Sequence, residues 1–173
     1  MNTDLLTLME TRRSVRSFKP DMIPSDVIDQ IIKAGTYAAT GMNRQSPIII
    51  AVTNKEMRDR LSRMNAKIMG SDKDPFYGAP VVLIVLAKKE APTHVYDGSL
   101  VMGNLMLAAA SLGLGSCWIN RAKEEFESDE GKALLKKWGI EGDWVGVGHC
   151  ILGYPAADPK PAAPRKPDYI VKV

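Results

Sequence analysis

The sequence predicts one domain, residues 1–173, in which helices and strands alternate, as in the α/β or α+β class. A chain of 173 residues can build one hydrophobic core but is short for two. Its hydrophobic fraction of 45% and charged fraction of 25% are typical of a folded globular protein. Continuous apolar runs, typical of buried strands, alternate along it with segments whose apolar residues recur every three or four positions, typical of helices.

The helices are predicted from this recurrence and from signals at their ends. In chain order they are a short helix that ends at the Arg-Arg-Ser turn, one from Pro24 that Gly41 closes, one through Met57, Leu61, Met64 and Ile68, one over Tyr96 to Leu112, and one over Asp129 to Trp138. The helix over Tyr96 to Leu112 is apolar on nearly every side, which indicates burial in a core or at a subunit interface.

Four strands are predicted before a proline-rich tail. They cover Pro47 to Thr53, Pro80 to Ala87, Ser116 to Ile119 and Trp144 to Tyr154. Five of the eleven prolines lie between Pro155 and Pro167, so this part of the tail is expected to be extended on the surface. Asp168 to Val173 alternates apolar and polar residues, which predicts an edge strand that pairs either with its own sheet or with that of a partner subunit.

Composition points to a cytosolic protein without a metal. The spacing of Cys117 and Cys150 fits neither a redox nor a zinc motif, and only His94 and His149 could add imidazole ligands. The N-terminus lacks a signal-peptide pattern, and the apolar stretch from 100 to 114 is too short and interrupted to span a bilayer. We interpret Cys117 and His149 as core residues rather than as a nucleophile and a base.

The net charge of +3 is small, and most basic residues are interspersed with acids. A cluster stands apart at Arg12, Arg13 and Arg16, with Ser14 between them. It is either a solvated turn or an anion site, since arginine binds phosphate through paired charge-assisted hydrogen bonds. The cluster alone does not name the anion. Nucleic-acid binding is disfavoured because no contiguous basic stripe follows, and it would predict binding that weakens steeply with salt.

Three further segments have two interpretations each. The loop from Thr40 to Pro47 presents the amides of Asn43 and Gln45, which suit either a turn or a ligand. Arg165 and Lys166 lie either in a solvated terminus or against an anion. The glycines of Gly113 to Asn120 do not form a dinucleotide fingerprint, because Trp118 replaces the third glycine and a strand follows instead of a helix.

In order, these segments resemble the nitroreductase family of flavoproteins. The matching motifs are RRSVRSF at 12–18, TGMNRQSP at 40–47, FYGAPVVLIV at 76–85, DGSLVMGNLMLAAASLGLGSCWI at 97–119, GYP at 153–155 and PRKP at 164–167. The resemblance implies an α+β fold of three α/β/α layers with a central, mostly antiparallel sheet. It also implies an intertwined homodimer with one FMN at each of two sites that are built from both subunits.

The resemblance also assigns roles to individual residues. The flavin phosphate, ribityl chain and pyrimidine edge are expected at Arg12, Arg13, Ser14 and Arg16, with Arg165 and Lys166 closing on the phosphate. From the other subunit, Thr40, Gly41, Asn43 and Gln45 would approach the ring. The main chain at Cys117, Trp118 and Ile119 would line one side of it, and protein around Gly153 and Tyr154 would cover the opposite face. No catalytic side chain is predicted, and Arg16 is expected to tune the flavin electrostatically.

The function implied is an NAD(P)H-dependent FMN oxidoreductase that reduces nitroaromatics, quinones or similar small acceptors by a ping-pong mechanism. The alternatives are another reaction of the same fold, namely flavin fragmentation, dehalogenation or azoline oxidation, and a module that binds FMN without turnover. The chain departs from larger members in two ways. It is short, which predicts an open pocket, and Gly41-Met42 stands where a serine-rich sequence is common.

Overall fold

The computed structural model describes residues 5–173, so the first four residues of the predicted N-terminal segment lie outside the described part. Its elements follow one another along the chain as α1 (Leu5–Thr11), α2 (Ser25–Thr36), a 3-10 turn (Gly41–Asn43), β1 (Pro47–Val52), α3 (Lys55–Met69), β2 (Val81–Lys88), α4 (His94–Ser111), β3 (Gly115–Ile119), α5 (Ala122–Glu127), α6 (Asp129–Lys137) and β4 (Trp144–Gly153).

The four strands form one antiparallel sheet in the order β1-β2-β4-β3. The expected central antiparallel sheet is therefore confirmed. Strand β2 is buried on both faces, as its continuous apolar run predicted. The register between β2 and β4 shifts at Val147, where Val85 pairs with Gly148 but Leu86 pairs with Gly146. This bulge lies beneath α4, where Gly98 packs against Val147.

Helices cover both faces of the sheet, so the three expected layers are present. On one face the alternate β2 residues Val82, Ile84 and Leu86 pack with α3, α5 and α6. On the other face Val81, Leu83 and Val85 pack with α2 and α4. Helix α4 lies close against the sheet at Gly98, where an added Cβ would be 2.5 Å from the Val147 side chain.

The helices differ from the predicted ones at two places. Helix α2 ends at Thr36 and does not extend to Gly41, because the segment 37–46 turns away and Gly41 is bound by Asp97. Helix α5 was not predicted as an element of its own. It is separated from α6 by Ser128, whose side chain accepts a hydrogen bond from the Gly131 N–H and so caps α6.

Helix α4 is covered on one side within the chain. Its sheet-facing residues include Val101, Met102 and Leu105, all buried. Its other side is uncovered within one chain, since Tyr96 is 73% exposed and Leu100 is 51% exposed. The alternative of burial in the core of one chain is therefore excluded for this side, and burial at a subunit interface stays a prediction.

The predicted edge strand over 168–173 does not form within a single chain, and its pairing with the sheet of a partner subunit stays a prediction. Those residues form no strand, and every residue from 156 to 173 is exposed. An alternating pattern shows that a segment suits a sheet, but a strand needs a neighbour to supply its ladder of hydrogen bonds. Within one chain the tail has no such neighbour among residues 5–173.

Candidate functional site

The arginine cluster runs alongside the outer edge of the sheet. After α1 ends, Ser14 forms a parallel bridge with Ser116 of β3, and the Val15 N–H donates to the Ser116 carbonyl over 2.9 Å. The Val15 side chain is buried, which anchors the segment. The neighbouring Ser14 and Arg16 side chains are exposed. The fold therefore brings the segment with the arginine cluster to the edge of β3, a strand that lies more than 95 positions further along the chain.

A groove beside this edge brings together residues from three segments of the chain. It has a volume of about 260 Å³, and its walls contain Arg16 with all three residues predicted from β3. The complete lining is Arg16, Met69, Lys73, Asp74, Pro75, Tyr77, Cys117, Trp118, Ile119, Asn120 and Arg121. Arg16 and the segment from Cys117 to Ile119 therefore line one groove, and their roles toward a flavin stay predictions.

The guanidinium groups of Arg12 and Arg13, next to this edge of the sheet, each carry a hydrogen-bond donor that is unpaired among residues 5–173. Within residues 5–173, Arg12 Nη1 and Arg13 Nε are buried without a hydrogen-bond partner, and so are Ser116 Oγ and Trp118 Nε1. Arg13 Nη1, by contrast, donates to the carbonyls of Glu10 and Arg12. Trp118 Nε1 packs against Gly148 of β4. Because buried polar groups in native proteins are nearly always paired, the unpaired donors of Arg12 and Arg13 fit a ligand that supplies acceptor oxygens.

Part of the groove was not predicted from the sequence. Lys73 and Tyr77 come from the loop between α3 and β2, which is organised by Asp74. The Asp74 carboxylate accepts from Ser62 Oγ at 2.6 Å, from two backbone N–H groups and from Arg58 at 2.5 Å. Burial by itself raises the pKa of Asp74, but these hydrogen bonds outweigh it and hold the pKa below its usual value. A run of turn-forming residues before β2 was the available signal.

The loop from Thr40 to Ser46 is rigidly held by Asp97 of α4. The Asp97 carboxylate accepts from the Gly41 N–H at 3.0 Å, from Ser46 Oγ at 2.9 Å and from Thr93 Oγ1 at 3.0 Å. Three of the loop residues have left-handed backbones although none is glycine, namely Met42 and Asn43 with φ of 54° and Gln45 with φ of 50°. Such conformations persist only where surrounding contacts enforce them.

This loop does not meet the arginine cluster within one chain. It leads into β1, whereas the cluster borders β3, and these are opposite edges of the four-stranded sheet. Three interstrand spacings of about 4.8 Å separate the two edges by ~14 Å along the sheet. Thr40, Gly41, Asn43 and Gln45 therefore cannot line the groove of their own chain.

The tail residues are likewise apart from the groove. Arg165 donates only to the carbonyl of Ala163 among the described residues, and Lys166 lies 3.9 Å from Asp168. Gly153 ends β4 in the interior, where an added Cβ would be 2.7 Å from the Phe18 ring, and it does not line the groove. Their expected roles toward a flavin stay predictions.

The two residues interpreted as core residues are buried. Cys117 is 1% exposed and His149 is fully buried, with its ring 5.3 Å from the ring of Phe76. Both cysteines are free thiols. Among residues 5–173 no group of three or more histidine, cysteine or acidic side chains is arranged to hold a metal ion. Within the same range no helix is long and apolar enough to cross a membrane.

Known proteins share both this sequence and this fold. A relative from Archaeoglobus fulgidus, provisionally named an NADH dehydrogenase/NAD(P)H nitroreductase, is 31% identical over 88% of this chain and 86% of its own length. The iodotyrosine deiodinase of Thermotoga neapolitana is 27% identical over 93% of each chain. The crystal structure of a nitroreductase with bound FMN from Bacteroides fragilis superposes with a TM-score of 0.89 at 28% identity, covering 99% of this chain and all of the other.

The sequence profile of the nitroreductase family matches residues 9–73 and 65–154. The matched stretches contain the arginine cluster, the loop held by Asp97, the sheet and the groove at β3. This chain belongs to the nitroreductase family.

Proposed function

We propose that the protein is an FMN-dependent NAD(P)H oxidoreductase that reduces nitroaromatics, quinones or similar small acceptors. The observation that carries the proposal is the set of open, buried donors of Arg12 and Arg13 beside the groove at β3. Family membership supports the cofactor, because the nitroreductase from Bacteroides fragilis contains bound FMN. The name of the relative from Archaeoglobus fulgidus supports NADH or NADPH as the electron donor.

The groove fits FMN in its chemistry. A phosphate dianion suits the guanidinium groups of Arg12 and Arg13 together with the exposed Ser14 hydroxyl. Arg16 lines the groove together with the predicted ring-lining residues Cys117, Trp118 and Ile119. When bound, FMN supplies the redox chemistry by accepting two electrons from the nicotinamide and passing them on. The chain supplies binding, orientation and positive charge, and no acid–base side chain is required.

We infer that a complete site needs two copies of the chain, each a single domain over 1–173. The loop with Asn43 and Gln45 lies at the sheet edge opposite the groove, so it can approach only the groove of another copy. The tail with Arg165 and Lys166 is exposed throughout and makes few contacts within its own chain. Both features support a homodimer in which each groove is completed by the partner.

The direct test of this proposal is the visible spectrum of the purified protein. We expect flavin absorption bands and the release of FMN, identified by its mass, on denaturation. Anaerobic stopped-flow mixing with NADH or NADPH should then bleach the flavin band. A protein that takes up no FMN when it is supplied in excess would overturn the proposal. Uptake of FMN without bleaching by either nucleotide would instead support a storage module.

Reductive dehalogenation is the second candidate, because the deiodinase of Thermotoga neapolitana aligns over 93% of each chain. Its test is iodide release from 3-iodo-L-tyrosine by the dithionite-reduced protein, measured beside reduction of a nitroaromatic under the same conditions. Iodide release faster than nitro reduction would favour the dehalogenase. Absence of iodide release, with rapid nitro reduction, would favour the first proposal.

A further inference from the structure

A polar network leads from the groove at β3 into the core. Arg121, which lines the groove, donates from Nε to Oδ1 of Asn65 over 2.9 Å. Asn65 lies on α3 and is fully buried. Its amide nitrogen donates to the carbonyl of Asn120 at 2.9 Å and to Oε2 of Glu125 at 3.2 Å. One buried side chain therefore connects the end of β3, the groove and helix α5.

The inner end of this network is a buried acid. Glu125 is fully buried, and its Oε2 atom is 3.2 Å from Nε2 of the equally buried His149, in a geometry that does not make a hydrogen bond. Within residues 5–173, Glu125 Oε1 has no hydrogen-bond partner. A buried carboxylate destabilises a fold unless its surroundings compensate, and an apolar side chain of similar size would avoid that penalty. What Glu125 does contribute is an acceptor that orients the Asn65 amide.

The outer end is a strained arginine. Arg121 has φ of 75° and ψ of 8°, a left-handed conformation that a residue with a Cβ adopts at a cost of about 1–2 kcal/mol. Glycine would adopt it freely. We therefore expect the arginine side chain to make contacts that a glycine at this position could not make. Its Nε is held by Asn65, while its two Nη groups make no hydrogen bond to residues 5–173.

We propose that Arg121 acts on the cofactor as a cation of the groove, in addition to Arg16 and Lys73. Asn65, oriented by Glu125, is its positioning residue. The inference rests on the proposed function, because the charge of Arg121 is proposed to act on bound FMN. Two-electron reduction makes the flavin more negative, so a cation held at the groove stabilises the reduced cofactor more than the oxidised one. Arg121 thereby raises the reduction potential of the bound flavin.

The experiment compares the midpoint potential and FMN affinity of the wild type with those of Arg121→Gln, Asn65→Leu and the double variant. Arg121→Gln should bind reduced FMN about tenfold more weakly relative to oxidised FMN, near the low end of the effect of a charge-assisted contact. For a two-electron couple that ratio equals a potential lower by about 30 mV. Arg121→Lys, which keeps the charge, should restore most of the loss. Arg63→Gln is the matched control, since Arg63 is exposed on α3 and does not line the groove.

A positioning role for Asn65 predicts that the two substitutions are not additive. Asn65→Leu should shift the potential in the same direction as Arg121→Gln, and the double variant should shift it no further than Arg121→Gln alone. Asn65→Ser, which keeps a donor for the buried acceptors, serves if the leucine variant does not fold. Additive shifts would overturn the positioning role of Asn65.

The outcomes separate this inference from the proposed function. A wild-type protein that binds no FMN overturns both. A wild-type protein that binds FMN, with an Arg121→Gln variant of unchanged potential, overturns the inference alone and leaves the proposed function standing. An equal shift of the potential in the Arg63→Gln control would show that the potential responds only to the net charge of the protein. This result would also overturn the inference.

Discussion

Asp97 shows how one buried side chain shapes the loop that we propose to complete the site of another copy of the chain. It is 3% exposed and receives three hydrogen bonds, two of them from the loop before β1. Burial by itself raises the pKa of Asp97, but the bonds from Gly41, Ser46 and Thr93 outweigh it and hold the pKa below its usual value. The carboxylate form is therefore part of the folded structure.

We expect Asp97→Asn to lower the free energy of unfolding at neutral pH by about 1–3 kcal/mol, because donors around the site lose an acceptor. A carboxyl whose folded pKa is depressed stabilises the fold above its unfolded pKa of about 3.9, and that contribution is lost as pH falls through the folded pKa. Urea unfolding from pH 6 to pH 3 should thus show a shallower acid loss in the variant than in the wild type. Asp74 retains its own share of that loss in both proteins. Asp29→Asn, at an exposed site of α2, is the control, and equal acid slopes would contradict the assignment.

The phosphate assignment is tested at Arg12 and Arg165. Replacing either with Ala should weaken FMN binding by ~1.5–3 kcal/mol, the range for a hydrogen bond to a charged group. Fluorescence titration measures the affinity, with riboflavin as the ligand that lacks the phosphate. Lys160→Ala is the control in the exposed tail. An equal loss of riboflavin affinity would show that these arginines do not bind the phosphate.

Helix α4 carries the apolar surface that one chain leaves uncovered. Toward the sheet it buries Val101, Met102 and Leu105, while Val95, Tyr96 and Leu100 are exposed on its outer side. An exposed apolar face on a long helix favours an interface between subunits. This placement also explains why the helix reads as apolar on nearly every side. Sequence periodicity does not separate residues that face a core from residues that face a partner.

We expect Leu100→Lys to dissociate the dimer, because the charge would be buried at the interface without a partner. Sedimentation should then show a monomer, and FMN affinity should fall with it, since each groove would lose the loop and tail of the other copy. Ile68→Lys is the matched control, as Ile68 is exposed to a similar extent on α3, at 40% compared with 51%. A stable wild-type monomer with FMN bound would contradict the shared site itself.

At the scale of the whole molecule, the motifs of the chain bear on the order in which the electron donor and the acceptor bind. The sequence contains no dinucleotide fingerprint, so we expect the nicotinamide to be recognised by stacking on the exposed flavin ring and by nearby cations. Donor and acceptor would therefore use the same open groove in alternation. We expect ping-pong kinetics, with parallel double-reciprocal plots at several acceptor concentrations and release of NAD(P)⁺ before the acceptor binds. Intersecting lines would exclude this scheme.

Arg16 tests the electrostatic half of the same scheme. Arg16→Ala should slow reduction of the cofactor by the nicotinamide about tenfold to a hundredfold, equal to ~1–3 kcal/mol, because the reduced state loses a counter-charge. Stopped-flow rates at saturating FMN measure it, with Lys19→Ala as a control at an exposed position of the same segment. Reduction at the native rate with FMN still bound would contradict the role given to Arg16.

Much of the fold was predictable because the signals are local. All four sheet strands and the helices α1, α2, α3, α4 and α6 occur close to where apolar periodicity places them. The failures have a common cause. The tail alternates as a strand does yet has none to pair with in its own chain, and α2 stops before Gly41 because Asp97, 56 positions further along, binds that glycine.

The sequence by itself determined the periodic elements, the arginine cluster and the motifs that identify the nitroreductase family. Only the tertiary structure decided which of these meet. It placed Arg16 against β3, separated the loop at Asn43 from both, and linked Arg121 to Asn65 across 56 positions. The physical reason is that helix and strand signals arise from neighbours along the chain. Strand order, open donors and a left-handed arginine depend on contacts between distant segments, which no local pattern specifies.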